Sequence, residues 1–263
     1  MKVKFCGASI GVTGSCHMIS TDNHKILLDC GQFQGGKEMD RMNEESFPFN
    51  PAEIECVILS HAHIDHCGRL PLLVKRGFKG PIYCTDATAD LLDVMLKDSA
   101  YIHEKDAEWQ TRKNLRTGKP PVEPLYTIQD SEAALRLVKP ILYDQLVELN
   151  PEMKIVFNDA GHILGSAITE LWVTEGDKTS KIVFSGDLGV ENTDSERSGK
   201  NQKSRFPHYG DHLRKQAASG KRNKHRRSHQ DYAQNHQARR QCYHPFLCGR
   251  QNAGADLSVQ HVL

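Results

Sequence analysis

No run of the 263 residues is apolar for long enough to span a bilayer, and the opening MKVKFCGAS lacks the apolar centre of a secretory signal. The eight cysteines form no C-x-x-C pair and follow no regular spacing. They read as scattered reduced thiols rather than as a disulfide framework or a thiolate metal site, so a cytoplasmic protein with no membrane partner is expected. A large charge of one sign is also missing, since the net is only +1. That average hides a break. Residues 194–263 carry 14 Lys/Arg against 5 Asp/Glu and seven of the 14 histidines, while the remainder carries 20 Lys/Arg against 28 Asp/Glu. A hydrophobic share of 38% supports a core, although the mean hydropathy of −0.56 is low for a compact enzyme.

What the chain does have is concentrated in Ser60-His61-Ala62-His63-Ile64-Asp65-His66. The apolar run Cys56-Val57-Ile58-Leu59 before it reads as a buried strand, and Cys67-Gly68-Arg69-Leu70-Pro71-Leu72-Leu73-Val74 after it reads as the opening of a helix. Three imidazoles and a carboxylate are thus crowded into a strand-to-helix turn. These are the ligand types that suit zinc and similar divalent ions. In an extended turn His61 and His63 point to one side while Asp65 and His66 reach a second position nearby, a spacing for two metals.

The rest of residues 1–193 alternates strands and helices. Strands are expected at 2–6, 16–20, 25–31, 56–59, 80–85, 154–157, 167–175 and 181–184, and helices at 87–109 and 131–138. Residues 33–49 read as a polar loop and 119–124 as a proline-rich connector. Asp29 ends a strand at Asp29-Cys30-Gly31, where it either caps the turn or supports a site. His103, set among charged residues, is expected to be solvated. His162 in Ala160-Gly161-His162-Ile163-Leu164-Gly165-Ser166 and Asp187 in Phe184-Ser185-Gly186-Asp187-Leu188-Gly189 both fall at strand ends, as the histidine-rich turn does.

The H-x-H-x-D-H turn resembles the signature of the metallo-β-lactamase superfamily. The A-G-H-x-L-G-S and F-S-G-D-L-G segments, with G-x-x-x-x-V-T-G-S-C-H over Gly7–His17, resemble its β-CASP branch of RNA- and DNA-processing nucleases. The resemblance implies an α/β fold, a partial αββα sandwich over residues 1–193. It implies one zinc on His61, His63 and His162, a second on Asp65 and His66, and Asp187 bridging the two. Asp65 would also take the proton of the attacking water, and Asp29 would orient the metal ligands from behind. The implied activity is zinc-dependent cleavage of RNA or DNA phosphodiester bonds. Two rival readings are a hydrolase of another ester or thioester on the same fold, and a nucleic-acid-binding protein acting through its basic tail.

That tail, residues 194–263, has no periodicity and contains the basic cluster Lys221-Arg222-Asn223-Lys224-His225-Arg226-Arg227. It is expected to be disordered and to be a translation in the wrong frame. If each codon is read from its second base, Tyr209–Gln216 can become METIYGNR and Gln241–Val259 can become NVIIPSFAVGRTQELIYQF. Both resemble later β-CASP segments in family order. The resemblance further implies that later β-CASP motifs supply a further histidine ligand to the second metal, a second catalytic histidine and a cap over the substrate. The chain has none of these in frame, so it is expected to be truncated and weakly active or inactive.

Overall fold

The computed structural model describes residues 1–9 and 11–189. The expectations for residues 194–263, an out-of-frame and disordered tail with its basic cluster, lie outside the described residues.

A first sheet is built from β1 (Lys2–Phe5), β2 (His17–Ser20), β3 (Lys25–Leu28), β4 (Cys56–Ile58), β5 (Ile82–Thr85) and β6 (Val138–Ile141), in that spatial order. The first three run antiparallel and the pairings from β3 to β6 are parallel. A second, antiparallel sheet holds β7 (Val147–Asn150), β8 (Met153–Asp159), β9 (Ala167–Glu175) and β10 (Lys178–Phe184). Helices lie between the strands: α1 (Lys37–Met42), α2 (Ile64–Cys67), α3 (Leu70–Lys75), α4 (Asp86–Leu115) and α5 (Ile128–Leu135).

Alternation along the central strands explains the layering. Successive side chains of a strand point to opposite faces, and both faces of β3 and β4 are apolar, as parallel strands buried on two sides require. Ile26, Leu28 and Ile58 turn toward Ile155, Phe157 and Leu171 of the second sheet. Leu27 and Val57 turn the other way, onto Leu70 and Leu73 of α3 and Leu92 and Leu96 of α4. The described residues therefore form helix, sheet and sheet layers, the expected αββα order without a second helical layer among them.

Several boundaries differ from expectation. The 33–49 loop contains the short helix α1, and its ends are not simply polar: Phe33 and Asn43 are buried, tied by Phe33 N–H to Asn43 Oδ1 at 2.8 Å and Asn43 Nδ2 to Phe33 O at 2.9 Å. The helix expected at 87–109 runs six residues further, to Leu115, because nothing breaks it before Thr117-Gly118. The helix expected at 131–138 begins earlier, where Thr127 and Asp130 form a capping box, and ends at Leu135. Val138 belongs to β6, whose Pro140 is tolerated because the strand lies at the sheet edge. β10 starts at Lys178, so the hairpin turn is the pair Gly176-Asp177 alone.

His103 also corrects its expectation. It is half-buried on α4 against the Tyr126 ring, centroids 4.8 Å apart, and burial lowers its pKa.

Candidate metal centre

The histidine-rich turn leaves β4 and enters α2, and its path is fixed by a neighbouring segment. Ser15 N–H donates to Asp65 O at 2.8 Å, Cys30 N–H to His66 O at 2.9 Å, and Gln32 N–H to Ile64 O at 2.9 Å. These bonds press residues 30–32 against the backbone of 64–66. A Cβ on Gly31 would lie 1.6 Å from Asp65 O, so the position has room only for glycine.

At the mouth of this turn four side chains converge. His61, His63, His162 and Asp187 each offer a ligand atom, and these atoms lie within 4.8 Å of one another. His63 Nδ1 is 3.0 Å from His61 Nε2 and 3.2 Å from His162 Nε2. For comparison, two nitrogens on a tetrahedral zinc with bonds of 2.0–2.1 Å would be about 3.3 Å apart. Burial, reinforced by the His66 charge, pushes His61 down to about 3, and burial with the nearby His162 lowers His63. Both rings are therefore neutral near pH 7 with lone pairs free for a cation. The donor set fits a divalent metal.

Asp65 and His66 stand beside this cluster. His66 Nε2 is 3.9 Å from Asp65 Oδ2 and 3.5 Å from Asp187 Oδ1, while Asp187 Oδ2 is 3.6 Å from His162 Nε2. One carboxylate thus faces both groups of residues. Its hydrogen bond with His66 holds Asp187 down to about 2 against the opposing effect of burial.

The loops that bring His162 and Asp187 here are locked together. Gly189 N–H donates to Ala160 O at 3.0 Å, and a Cβ on Gly189 would meet Gly161 O at 1.5 Å. Ser166 Oγ accepts from the N–H groups of His162 at 3.0 Å and Ile163 at 3.2 Å. From the other side, the Thr85 and Thr88 hydroxyls at the start of α4 donate to Gly165 O at 2.6 and 2.8 Å.

Asp29 lies fully buried behind the cluster, with φ of 59°. Left-handed backbone is several-fold enriched in Asp and Asn among non-glycine residues. Here it turns the carboxylate inward rather than into a turn cap. Asp29 Oδ1 accepts from Ser60 N–H at 2.8 Å, and Oδ2 accepts from Ser15 Oγ at 3.0 Å, Ser60 Oγ at 3.0 Å and His66 Nδ1 at 2.7 Å. Ser60 Oγ is also 3.0 Å from His61 Nδ1. The network closes when His61 Nδ1–H donates to Ser60 and Ser60 donates to Asp29, leaving His61 Nε2 to face the cluster. Ser15, Ser60 and Ser166 were given no role by sequence reasoning. Their only signal was their fixed place inside the three motifs.

All six residues expected to be ligands are thus brought to one site. Residues 10–212 match the model of the metallo-beta-lactamase superfamily, and the chain belongs to that superfamily. It is 36% identical over 194 residues to ribonuclease TTHA0252 of Thermus thermophilus, covering 74% of this chain and 39% of that protein. It is 31% identical over 191 residues to transcription termination factor FttA of Methanocaldococcus jannaschii, covering 73% and 28%. It is 30% identical over 195 residues to Integrator complex subunit 11 of Danio rerio, covering 72% and 30%. These relatives are β-CASP nucleases, the branch that the glycine-rich motifs resemble. The chain spans less than two fifths of the length of these curated relatives.

Proposed function

We propose that this chain carries the metal-binding half of a β-CASP nuclease active site, holding two Zn2+ ions and directed at RNA phosphodiester bonds, with DNA as the alternative substrate. His61, His63 and His162 would hold one ion, Asp65 and His66 the other, and Asp187 would bridge. The observation that carries this reading is the position of Asp187, with one oxygen toward His162 and the other toward His66. The ribonuclease among the relatives supports the substrate class.

When bound, the ions supply positive charge against the phosphodiester oxygens and lower the pKa of the attacking water. The remaining chemistry belongs to the chain. Asp65, only partly exposed at the rim, accepts the proton of that water. Asp29 fixes His66 through Nδ1, so that Nε2 alone faces the site, the support that metal-ligating histidines usually receive. Asp187 places negative charge between two cationic positions that would otherwise repel.

The out-of-frame reading of residues 194–263 is part of the proposal. Its support is the pair of shifted segments and the charge break near Asp194, although the family match itself runs on to residue 212. A chain lacking the later motifs in frame is expected to cleave slowly or not at all.

Single-turnover cleavage of a labelled RNA, with a chelator control, tests the activity. Metal analysis of the purified chain tests the site: two equivalents in the wild type, one in Asp187→Asn, and none in His61→Ala/His63→Ala. Two tightly held ions in Asp187→Asn would remove the bridge, and chelator-insensitive cleavage would remove the metal mechanism.

A further inference from the structure

The far end of α4 presents large exposed side chains away from the candidate metal centre. The helix is 30 residues long, or about 45 Å. Its buried residues Thr88, Leu92, Leu96 and Ala100 keep the first half on the core, whereas beyond Ala107 no residue of the helix is buried. Trp109 is 59% exposed and Leu115 64% exposed. Around them stand Arg112, Lys113, Arg116 and Lys119, all exposed, and no acidic residue occurs between Trp109 and Val122.

Cation and ring are already in register. Lys113 Nζ lies 5.3 Å from the Trp109 ring centroid, one helical turn away. Glu108, the residue before Trp109, takes Lys105 at 3.0 Å and Arg112 at 3.8 Å. Among the described residues, Lys113, Arg116 and Lys119 form no ion pair.

The surface is also fixed in shape. After Leu115 the chain folds back on the helix: Lys119 N–H donates to Asn114 O at 3.0 Å and Asn114 Nδ2 to Pro120 O at 2.9 Å. Val122 N–H donates to Thr111 Oγ1 at 2.9 Å. The cations thus stand on an ordered platform, which lowers the entropy lost on binding.

An exposed indole among unpaired cations fits a chain that offers both flat rings and phosphates. From this geometry we infer that the tip of α4 is a second contact site for single-stranded nucleic acid, with a base stacked on Trp109 and phosphates on Arg116 and Lys119. Stacking tolerates any base and phosphate contacts read no sequence, so the site is non-specific. Trp109 lies about 30 Å along the helix from the Thr88 contact with the His162 loop. The tip would therefore hold a substrate strand well away from the metals. This rests on the nucleic-acid reading of the metal site, but its test does not need catalysis.

The full chain is titrated in EDTA with labelled oligouridine and oligothymidine of about 20 nucleotides, read by anisotropy over a salt series. Trp109→Ala is expected to weaken binding roughly 5- to 150-fold. Arg116→Glu/Lys119→Glu is expected to weaken it at least about tenfold, and to make log K against log salt shallower by about 1.4 through loss of two phosphate contacts. Equal behaviour of the RNA and DNA strands is expected, and a large preference would require a sugar contact that the tip does not offer. Unchanged affinity and slope in both variants overturns the site, as does absence of binding by the wild type. Sedimentation of the same proteins exposes the competing occupant: a wild-type dimer lost in Trp109→Ala, with oligonucleotide affinity unchanged, would give the surface to a second copy. Wild-type RNA cleavage with variants that bind normally overturns only the tip; tip-dependent binding without any metal-dependent cleavage overturns only the nuclease.

Discussion

Asp29 Oδ2 lies 2.7 Å from His66 Nδ1 inside the protein, beneath the surface on which the six candidate ligands meet. In the metal-free chain burial disfavours the His66 cation, but the Asp29 charge and the hydrogen bond to Asp187 override it and raise the ring to about 10. The protein thus holds a proton on the ring that the proposal assigns to a second cation. With the ring bonded to Asp29 through Nδ1, His66 would offer Nε2 to a metal ion.

Asp29→Asn separates the charge from the backbone, since Asn also accepts left-handed φ. The second metal is expected to bind about 10- to 100-fold more weakly, with the first affected less. Isothermal titration of the chelator-stripped variant reads both steps. Equal loss of both ions would mean that Asp29 supports the whole turn rather than His66.

The same ion pair gives the metal-free chain a pH signature. A histidine raised from 6.5 to about 10 contributes stability that is complete below about 6.5 and is lost as pH climbs through about 10. Asp187, held down to about 2, contributes stability present above about 3.8 and lost as pH falls through about 2. Urea unfolding in EDTA should therefore show stability declining between about pH 6.5 and 10, with a flatter profile in His66→Gln. Uptake of the second metal should rise with pH over the same window, because the ion competes with the His66 proton. A metal-free profile identical in wild type and His66→Gln removes this coupling.

Much of this candidate site was legible because its residues sit in short motifs at strand ends. His61, His63, Asp65 and His66 are contiguous, and His162 and Asp187 each follow an apolar alternating run. What the sequence could not show is what crosses between segments. Ser15, just before β2, and Ser60, just after β4, reach Asp29 from separate loops, and the Thr85 and Thr88 hydroxyls hold Gly165 from the start of α4. Nor could β6 and β7 be read: each is a short edge strand that gains its place from its neighbour rather than from its own pattern. The last six residues of α4 were missed because their exposed, polar and charged sequence has no apolar period.

Gly31→Ala puts backbone packing under test rather than ligand chemistry. The added methyl would press on the Asp65 carbonyl, a backbone atom that cannot swing aside. A loss of about 1–3 kcal/mol is expected, with the metal affinity of Asp65 and His66 falling more than that of His61 and His63. Denaturation midpoints with and without zinc read the two effects separately. A variant as stable as wild type that still binds two ions would show that the 29–32 segment moves freely over the turn.

The strongest test of the tail is to change its reading frame. Residues 1–189 already bring together the six candidate ligands and the network behind them, so the missing ingredient would be placement of the substrate. Small errors of position away from the reacting atoms cost on the order of 100-fold in rate, and an absent cap should cost at least as much. The outer face of the second sheet bears on solubility too. It carries Trp172 under the Lys181 ammonium at 4.9 Å and the Lys181–Glu170 pair at 2.8 Å, so it is a mixed surface rather than a bare apolar one. The visible chain should therefore remain soluble enough to assay. Restoring the frame after Asp194, with the coding region that follows, is expected to raise chelator-sensitive RNA cleavage by on the order of 100-fold or more. Single-turnover rates for the two proteins, measured at saturating zinc, decide the matter. Equal rates would make residues 194–263 a working part of the enzyme and end the out-of-frame reading.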